Sequence, residues 1–301
     1  MTAHLSWLEA GVVGGMQGIA ELFPISSLGH SVLIPAWVGG SWQRDLSVSN
    51  PESPYLAFIV GLHVATAIAL LIYFWRDWVR IITGLISSIA RREVRTADQR
   101  LAWLLVLGTI PVGLVGLVGE HFFRTHLGKP VPTAIFLMVN GFILLGIERL
   151  RRRDNNVDSD YIDERVSGPE SDQRLAGQPV GKALFIGSLQ IAALAPGISR
   201  SGVALAGGML RGLSREDAAR FSFLLATPVI LAAGVLKLGD LAGPLGDGIR
   251  PQVIFGSILS GIGAYLSVRF LTRYLANRSL RPFGIYCLLA GAASLVLFAA
   301  R

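Results

Sequence analysis

Only one cysteine, Cys287, occurs in the 301 residues. No intrachain disulfide can form, and the cysteine count is silent on redox compartment. Charge is scarce as well: 16% of residues are charged and 52% hydrophobic, whereas a soluble domain carries about 25% charged residues. The balance excludes a basic nucleic-acid binder in spite of the formal net charge of +7, and it points to an integral membrane protein. The first residues, Met1-Thr-Ala-His-Leu-Ser-Trp7, lack the basic n-region of a cleaved signal peptide. The first hydrophobic segment is therefore expected to stay in the mature chain. No nucleotide loop is present, because Gly39-Gly40 and Gly207-Gly208 lack the lysine and the spacing of a P-loop.

What is abundant is long apolar sequence. A helix crossing a ~30 Å hydrocarbon core needs about 20 residues. Six runs qualify: 55–75, 101–119, 131–150, 219–238, 252–272 and 283–300. All must be helices, since an open sheet edge does not survive in lipid. Two further apolar stretches, 6–39 and 182–210, are interrupted near their middles by Pro, Gly and Ser. Each half is too short to span, so a re-entrant helix–turn–helix hairpin fits better than a continuous crossing. Segments 76–100, 149–182, 211–220 and 269–281 together hold twenty of the 27 basic residues. Alternating spans place all four on one side, the cytoplasm. Both termini then lie outside. The first hairpin enters from outside and the second from inside, so their tips can meet near the midplane.

The interrupted stretches look like copies of each other at an offset of 173 positions. Gly14/Gly187, Gln17/Gln190, Ala20/Ala193, Ile25/Ile198, Ser26/Ser199 and Gly29/Gly202 coincide. The first copy reads Gln17-Gly-Ile-Ala-Glu-Leu-Phe-Pro-Ile-Ser-Ser-Leu-Gly-His30, and the second contains Pro196-Gly-Ile-Ser-Arg-Ser-Gly202. Glu, His and Arg at membrane depth are costly and therefore mark function. Their repetition in two halves points to one site at a repeat interface. The predicted architecture is an all-α polytopic membrane protein, an inverted-topology repeat with six transmembrane helices and two re-entrant helical hairpins. Residues 1–150 form the first repeat, 151–181 a disordered or loosely ordered cytoplasmic linker, and 182–301 the second, inverted repeat.

Gln17 and Glu21 are four apart and share a helix face. Ser27 and His30 are three apart and can share another. Ser26 or Ser27, and Ser199, suit N-caps after Pro24 and after Pro196-Gly197. Two helix starts, Arg200, and the hydroxyls of Ser26, Ser199 and Ser201 converging on one point make a phosphate-binding site. Glu21 could hold a divalent cation that bridges to phosphate, or orient His30. His30 could act as general base, general acid or nucleophile, and Ser27 could be a nucleophile activated by His30.

Taken together, these segments resemble the two signatures of the bacterial undecaprenyl-diphosphate phosphatase family, the bacitracin-resistance type. The likeness continues through Gly212-Leu-Ser-Arg-Glu-Asp-Ala-Ala-Arg-Phe-Ser-Phe-Leu-Leu-Ala-Thr-Pro228 and covers nearly the whole chain. It implies hydrolysis of undecaprenyl diphosphate to the monophosphate, recycling a lipid carrier for peptidoglycan synthesis and giving bacitracin resistance. It also implies an inverted-repeat fold in the cell inner membrane, with a site open to the outer face, a polyprenyl diphosphate substrate and no nucleic-acid partner; a homodimer is compatible with it. A divalent metal ion, Mg2+ or Ca2+, is implied, with Glu21 and Gln17 as its ligands. By position, Glu21, Ser27, His30 and Arg200 carry the catalytic roles, and Ser26, Gly197, Ser199, Arg200 and Ser201 bind the substrate phosphate. Gln17 stands where some members have Glu, Ala204 where the family usually has Thr, and Leu28 where Ser is common.

Other readings separate on the same residues. A transporter or flippase also uses inverted repeats with broken helices, but it needs no nucleophile–base pair. A membrane phosphatase of the acid-phosphatase type needs Ser-Arg and then His after five residues; here Ala206 occupies that position. His63 lies inside a span and could line the cavity, but packing or a bond to a backbone carbonyl is the favoured expectation. Trp7, Trp37, Trp42, Trp75, Trp78 and Trp103 sit near span ends and fit an aromatic belt.

Overall fold

The computed structural model describes residues 5–47, 54–154, 168–243 and 246–300. Among them there are thirteen α-helices and no strand. The first half holds α1 (Trp7–Ala20), α2 (Ser27–Val38), α3 (Gly40–Asp45), α4 (Pro54–Tyr73), α5 (Trp75–Arg91), α6 (Ala97–Phe122) and α7 (Pro130–Asp154). After α8 (Gly168–Ala176) come α9 (Val180–Leu189), α10 (Arg200–Leu210), α11 (Arg215–Ala242), α12 (Arg250–Asn277) and α13 (Arg281–Ala299). Helices α4, α6, α7, α11, α12 and α13 are long and apolar enough to cross a membrane. They coincide with the six expected runs, and the chain is an integral membrane protein.

Local chemistry sets the ends of these helices. Ser6 and Glu9 close a capping box at the start of α1, with Glu9 N–H donating to Ser6 Oγ at 3.2 Å and Ser6 N–H to Glu9 Oε2 at 2.7 Å. Ser214 caps α11 by accepting from Asp217 N–H at 3.0 Å. Proline stands in the first turn of both α12 and α13, where its missing N–H has no intrahelical role. The two stretches expected to break do so. Helix α1 ends at Ala20 and α2 begins at Ser27, on either side of Pro24; α9 tightens into a 3₁₀ turn over Gln190–Leu194 and α10 begins only at Arg200.

Small residues let these helices approach closely, as packing in lipid requires. A Cβ at Gly14 of α1 would lie 2.5 Å from the carbonyl oxygen of Gly256 in α12. A Cβ at Gly187 of α9 would overlap the Gly108 carbonyl of α6. Thus α1 packs on α12 and α9 on α6, while α7 and α13 pack on one another and α7 receives both breaks.

Part of the expected linker departs from its prediction. Residues 151–154 continue α7, and 155–167 lie outside the described residues. Gly168–Ala176, however, is helix α8, with Ser171, Asp172, Leu175 and Ala176 buried. Ion pairs explain the order that composition did not suggest. Asp172 meets Arg220 at 2.9 Å and Arg80 at 2.7 Å, and Asp217 meets Arg174 at 2.7 Å. The hydrogen bonds from Arg174 to Asp217 raise the arginine pKa above its usual value. On the same end of the molecule, buried Glu148 pairs with Arg215 at 2.9 Å and accepts from Leu280 N–H at 3.0 Å.

Candidate active site

The two breaks meet. Ser26, at φ +68°, caps α2 by accepting from Gly29 N–H at 3.1 Å. The same Oγ accepts from Gly197 N–H of the other break at 3.2 Å. A non-glycine residue at positive φ costs about 1–3 kcal/mol, and these two donors hold it there. Gly197 itself, at φ +109°, lies so close to α7 that a Cβ would come 2.7 Å from Leu137 N and 2.8 Å from Phe136 Cβ. Buried Asn140 of α7 bridges the breaks: its Nδ2 donates to Pro24 O at 2.9 Å and its Oδ1 accepts from Ser199 N–H at 3.0 Å. Ser199 caps α10 by accepting from Gly202 N–H at 3.2 Å, and its Oγ lies 3.0 Å from that of Ser201.

Glu21 is the hub of the polar cluster. It follows the last residue of α1 and is buried at 8% exposure. Its Oε1 accepts a charge-assisted hydrogen bond from Arg200, the first residue of α10. Its Oε2 accepts from the Ser27 hydroxyl and, at 2.9 Å, from Gln17 Nε2. His63 Nε2 lies 3.3 Å from the same oxygen. Ser27 opens α2, so its side chain can reach back across the break to Glu21.

Two expectations need correction. His30 does not partner Ser27. Its Nδ1 bonds the Ser26 carbonyl at 2.8 Å and its Nε2 bonds the Tyr286 hydroxyl at 2.6 Å, with the two rings stacked 5.7 Å apart. Backbone and α13 thus hold the imidazole, and the Ser27 hydroxyl donates its hydrogen bond to Glu21. Nor does Gly197 offer its N–H to an anion, because Ser26 Oγ already takes it. Arg200, Ser27 and Ser201 do come to the same junction, with Ser201 Oγ bonding the Phe23 carbonyl at 3.4 Å. Two residues were missed. Asn140 and Tyr286 sit inside ordinary apolar spans, and only their polarity set them apart. His63 makes the expected backbone bond, with Ile59 O at 2.8 Å, and it also lines the cluster, facing Glu21.

The cluster fits a divalent cation. Gln17 Oε1 is buried without a hydrogen-bond partner. A backbone carbonyl only accepts, so His63 Nδ1 carries a proton and Nε2 of the neutral ring is an acceptor. That acceptor faces a carboxylate oxygen, a contact that calls for a proton or a cation. Among the described residues no three His, Cys, Asp or Glu side chains gather as a metal site, so any donor set here mixes carboxamide, carboxylate and imidazole.

A family model described as bacitracin resistance protein BacA matches residues 10–293. The chain is similar to a protein named undecaprenyl-diphosphatase from Mycolicibacterium paratuberculosis (strain ATCC BAA-968 / K-10), with 62% identity over 305 residues and all of both chains covered. It is 50% identical over 367 residues to undecaprenyl-diphosphatase 1 of Frankia casuarinae, covering 98% of this chain and 99% of that one. Undecaprenyl-diphosphatase 2 of Chromobacterium violaceum is 41% identical over 294 residues, covering 96% and 98%.

Proposed function

The chain belongs to the bacitracin resistance protein BacA family, and on that premise we propose that it is an undecaprenyl-diphosphate phosphatase. It hydrolyses undecaprenyl diphosphate to undecaprenyl phosphate and inorganic phosphate, recycling the lipid carrier for peptidoglycan synthesis. The observation that carries the reading is the junction at which Glu21 accepts from both Ser27 and Arg200.

The chemistry follows from that junction. Arg200 exchanges Glu21 for the terminal phosphate, whose oxygens suit its planar fork. Ser201 and the starts of α2 and α10 surround the same anion. Ser27 Oγ attacks the terminal phosphorus and its proton passes to Glu21. The bond from that phosphorus to the bridging oxygen breaks, and undecaprenyl phosphate leaves with the proton from Glu21. A water molecule then attacks the phosphoserine and gives a proton to Glu21; the bond from phosphorus to Ser27 Oγ breaks, Glu21 returns that proton to Oγ, and inorganic phosphate is freed. Mg2+ or Ca2+, held by Gln17 and Glu21 with His63 alongside, would neutralise diphosphate charge. His30, fixed against Tyr286, orients the start of α2 through its bond to the Ser26 carbonyl.

We read the fold as two inverted repeats, 1–150 and 182–301, each opening with a re-entrant hairpin. Exchange of partners supports this: α1 packs on α12, and its counterpart α9 packs on α6, the counterpart of α12. A two-fold axis in the membrane plane produces that exchange. In the plasma membrane, with the arginine-rich end cytoplasmic, the first hairpin opens the site to the outer face. The test is phosphate release from undecaprenyl diphosphate by the purified protein. Release by wild type and its loss in Arg200→Ala support the assignment; wild-type release by Arg200→Ala removes the arginine from the reaction.

A further inference from the structure

Helix α5 is turned inside out relative to a helix on a soluble protein. Trp75, Val79, Ile82, Ile86 and Ile89 recur at spacings of three and four and form one stripe. All five are exposed, from 49% at Ile82 to 61% at Ile86. The opposite face is the one that packs. Gly84 lies against the Asp98–Gln99 backbone of α6, where a Cβ would sit 3.0 Å from Asp98 C. Ser88 Oγ accepts from Trp103 Nε1 at 2.9 Å. Arg80 is tied to Asp172 of α8 at 2.7 Å.

At 17 residues, with Arg76, Asp77, Arg80 and Arg91 in it, α5 is too short and too charged to cross a bilayer. It joins α4 to α6, two helices that can. A helix so placed, with an apolar face turned outward, lies along the interface. The charges flanking the stripe have one sign. Arg76 is exposed and sits 5.3 Å over the Trp75 ring, and Arg91 and Arg92 are exposed at the far end. The nearby acids are already paired: Asp77 with Arg80 and Arg220, and Glu93 with Arg95.

We propose that α5 is an interfacial binding surface for anionic phospholipid. Acyl chains cover the Trp75–Ile89 stripe, and phosphate headgroups of separate lipids meet Arg76 at one end and Arg91 and Arg92 at the other. This rests on the chain lying in a membrane, not on its reaction.

Native mass spectrometry of the full detergent-solubilised protein, titrated with phosphatidylglycerol or phosphatidylcholine, tests it. Wild type should retain phosphatidylglycerol preferentially. Arg91→Gln/Arg92→Gln should weaken that retention about 30-fold, the effect of two arginines at an anionic surface, while phosphate release stays at the wild-type rate. Equal retention of the two lipids, or no change in the double variant, overturns the proposal. A second measurement does not depend on that variant. A spin label at Ile86→Cys, in a Cys287→Ser background, should in vesicles be accessible to oxygen and shielded from aqueous nickel chelate. A water-exposed label, or one immobilised against a second copy of the chain, refutes it.

Discussion

Replacing Asn140 by leucine removes the tie between the two breaks while keeping a side chain of similar size. The asparagine is fully buried; two of its hydrogen bonds, at 2.9 and 3.0 Å, serve the Pro24 carbonyl and the Ser199 N–H, and a weaker third goes to Cys287 Sγ at 3.4 Å. Leucine orphans the Ser199 N–H and leaves the Pro24 carbonyl only the weak Cys287 thiol donor at 3.9 Å. A buried unsatisfied backbone group costs about 1–3 kcal/mol, and side-chain hydrogen bonds in membrane bundles average ~0.6 kcal/mol. Between these bounds we expect a loss of about 2–4 kcal/mol. The catalytic effect should be larger than the stability effect suggests. Ser199 precedes Arg200, and Pro24 lies three residues before Ser27, so loosening either end moves the guanidinium relative to the hydroxyl. A displacement of about 1 Å can cost roughly 100-fold in rate. Phosphate release from undecaprenyl diphosphate gives kcat and KM, and thermal unfolding in detergent gives stability. The expected result is a fall in kcat of about 100-fold with a lowered unfolding temperature. Wild-type kcat and unchanged unfolding in Asn140→Leu would refute the claim that this residue registers the two halves of the site.

Three further outcomes follow from the same contacts. Gly197→Ala combines left-handed backbone strain with overpacking against α7, and should lower stability by about 2–4 kcal/mol; unfolding at the wild-type temperature would show that the break can relax. Asp172→Ala removes the α8 carboxylate from Arg80 and Arg220 and leaves them to share Asp77. It should cost about 1–3 kcal/mol, below the value for a fully buried pair because the Arg80 side chain is 32% exposed; an unchanged unfolding curve would make α8 an idle appendage. His63→Leu should weaken Mn2+ binding, read by electron paramagnetic resonance, by about tenfold or more. Unaltered affinity would take the imidazole out of the cation site.

Hydrophobic run length alone located the six long helices, because a lipid core leaves few other solutions. The two breaks were legible for a similar reason, since proline and glycine inside an apolar run interrupt it whatever the surroundings. Glu21, Ser27 and Arg200 could be singled out by their cost in lipid. Their mutual pairing could not, because it depends on where α10 places its first residue against the end of α1. Periodicity suggested Ser27 with His30. Tyr286, 256 positions away in sequence, claims the imidazole instead, and no local pattern contains that contact. Asn140 escaped for the same reason, as one polar residue in an apolar span reads as packing until its partner is known. Order in α8 was hidden by composition. Its charged residues look solvated in isolation but meet Arg80, Arg220 and Asp217 in the fold.

The central claim is that Ser27, with Glu21 as its proton acceptor, takes the phosphoryl group. The most direct measurement traps the protein during turnover of undecaprenyl diphosphate, quenches at neutral pH, and locates phosphoryl adducts by peptide mass spectrometry. The account predicts an adduct on Ser27 in wild type and in His30→Ala, and no phosphate release by Ser27→Ala. An adduct on His30, or undiminished phosphate release by Ser27→Ala, would contradict it.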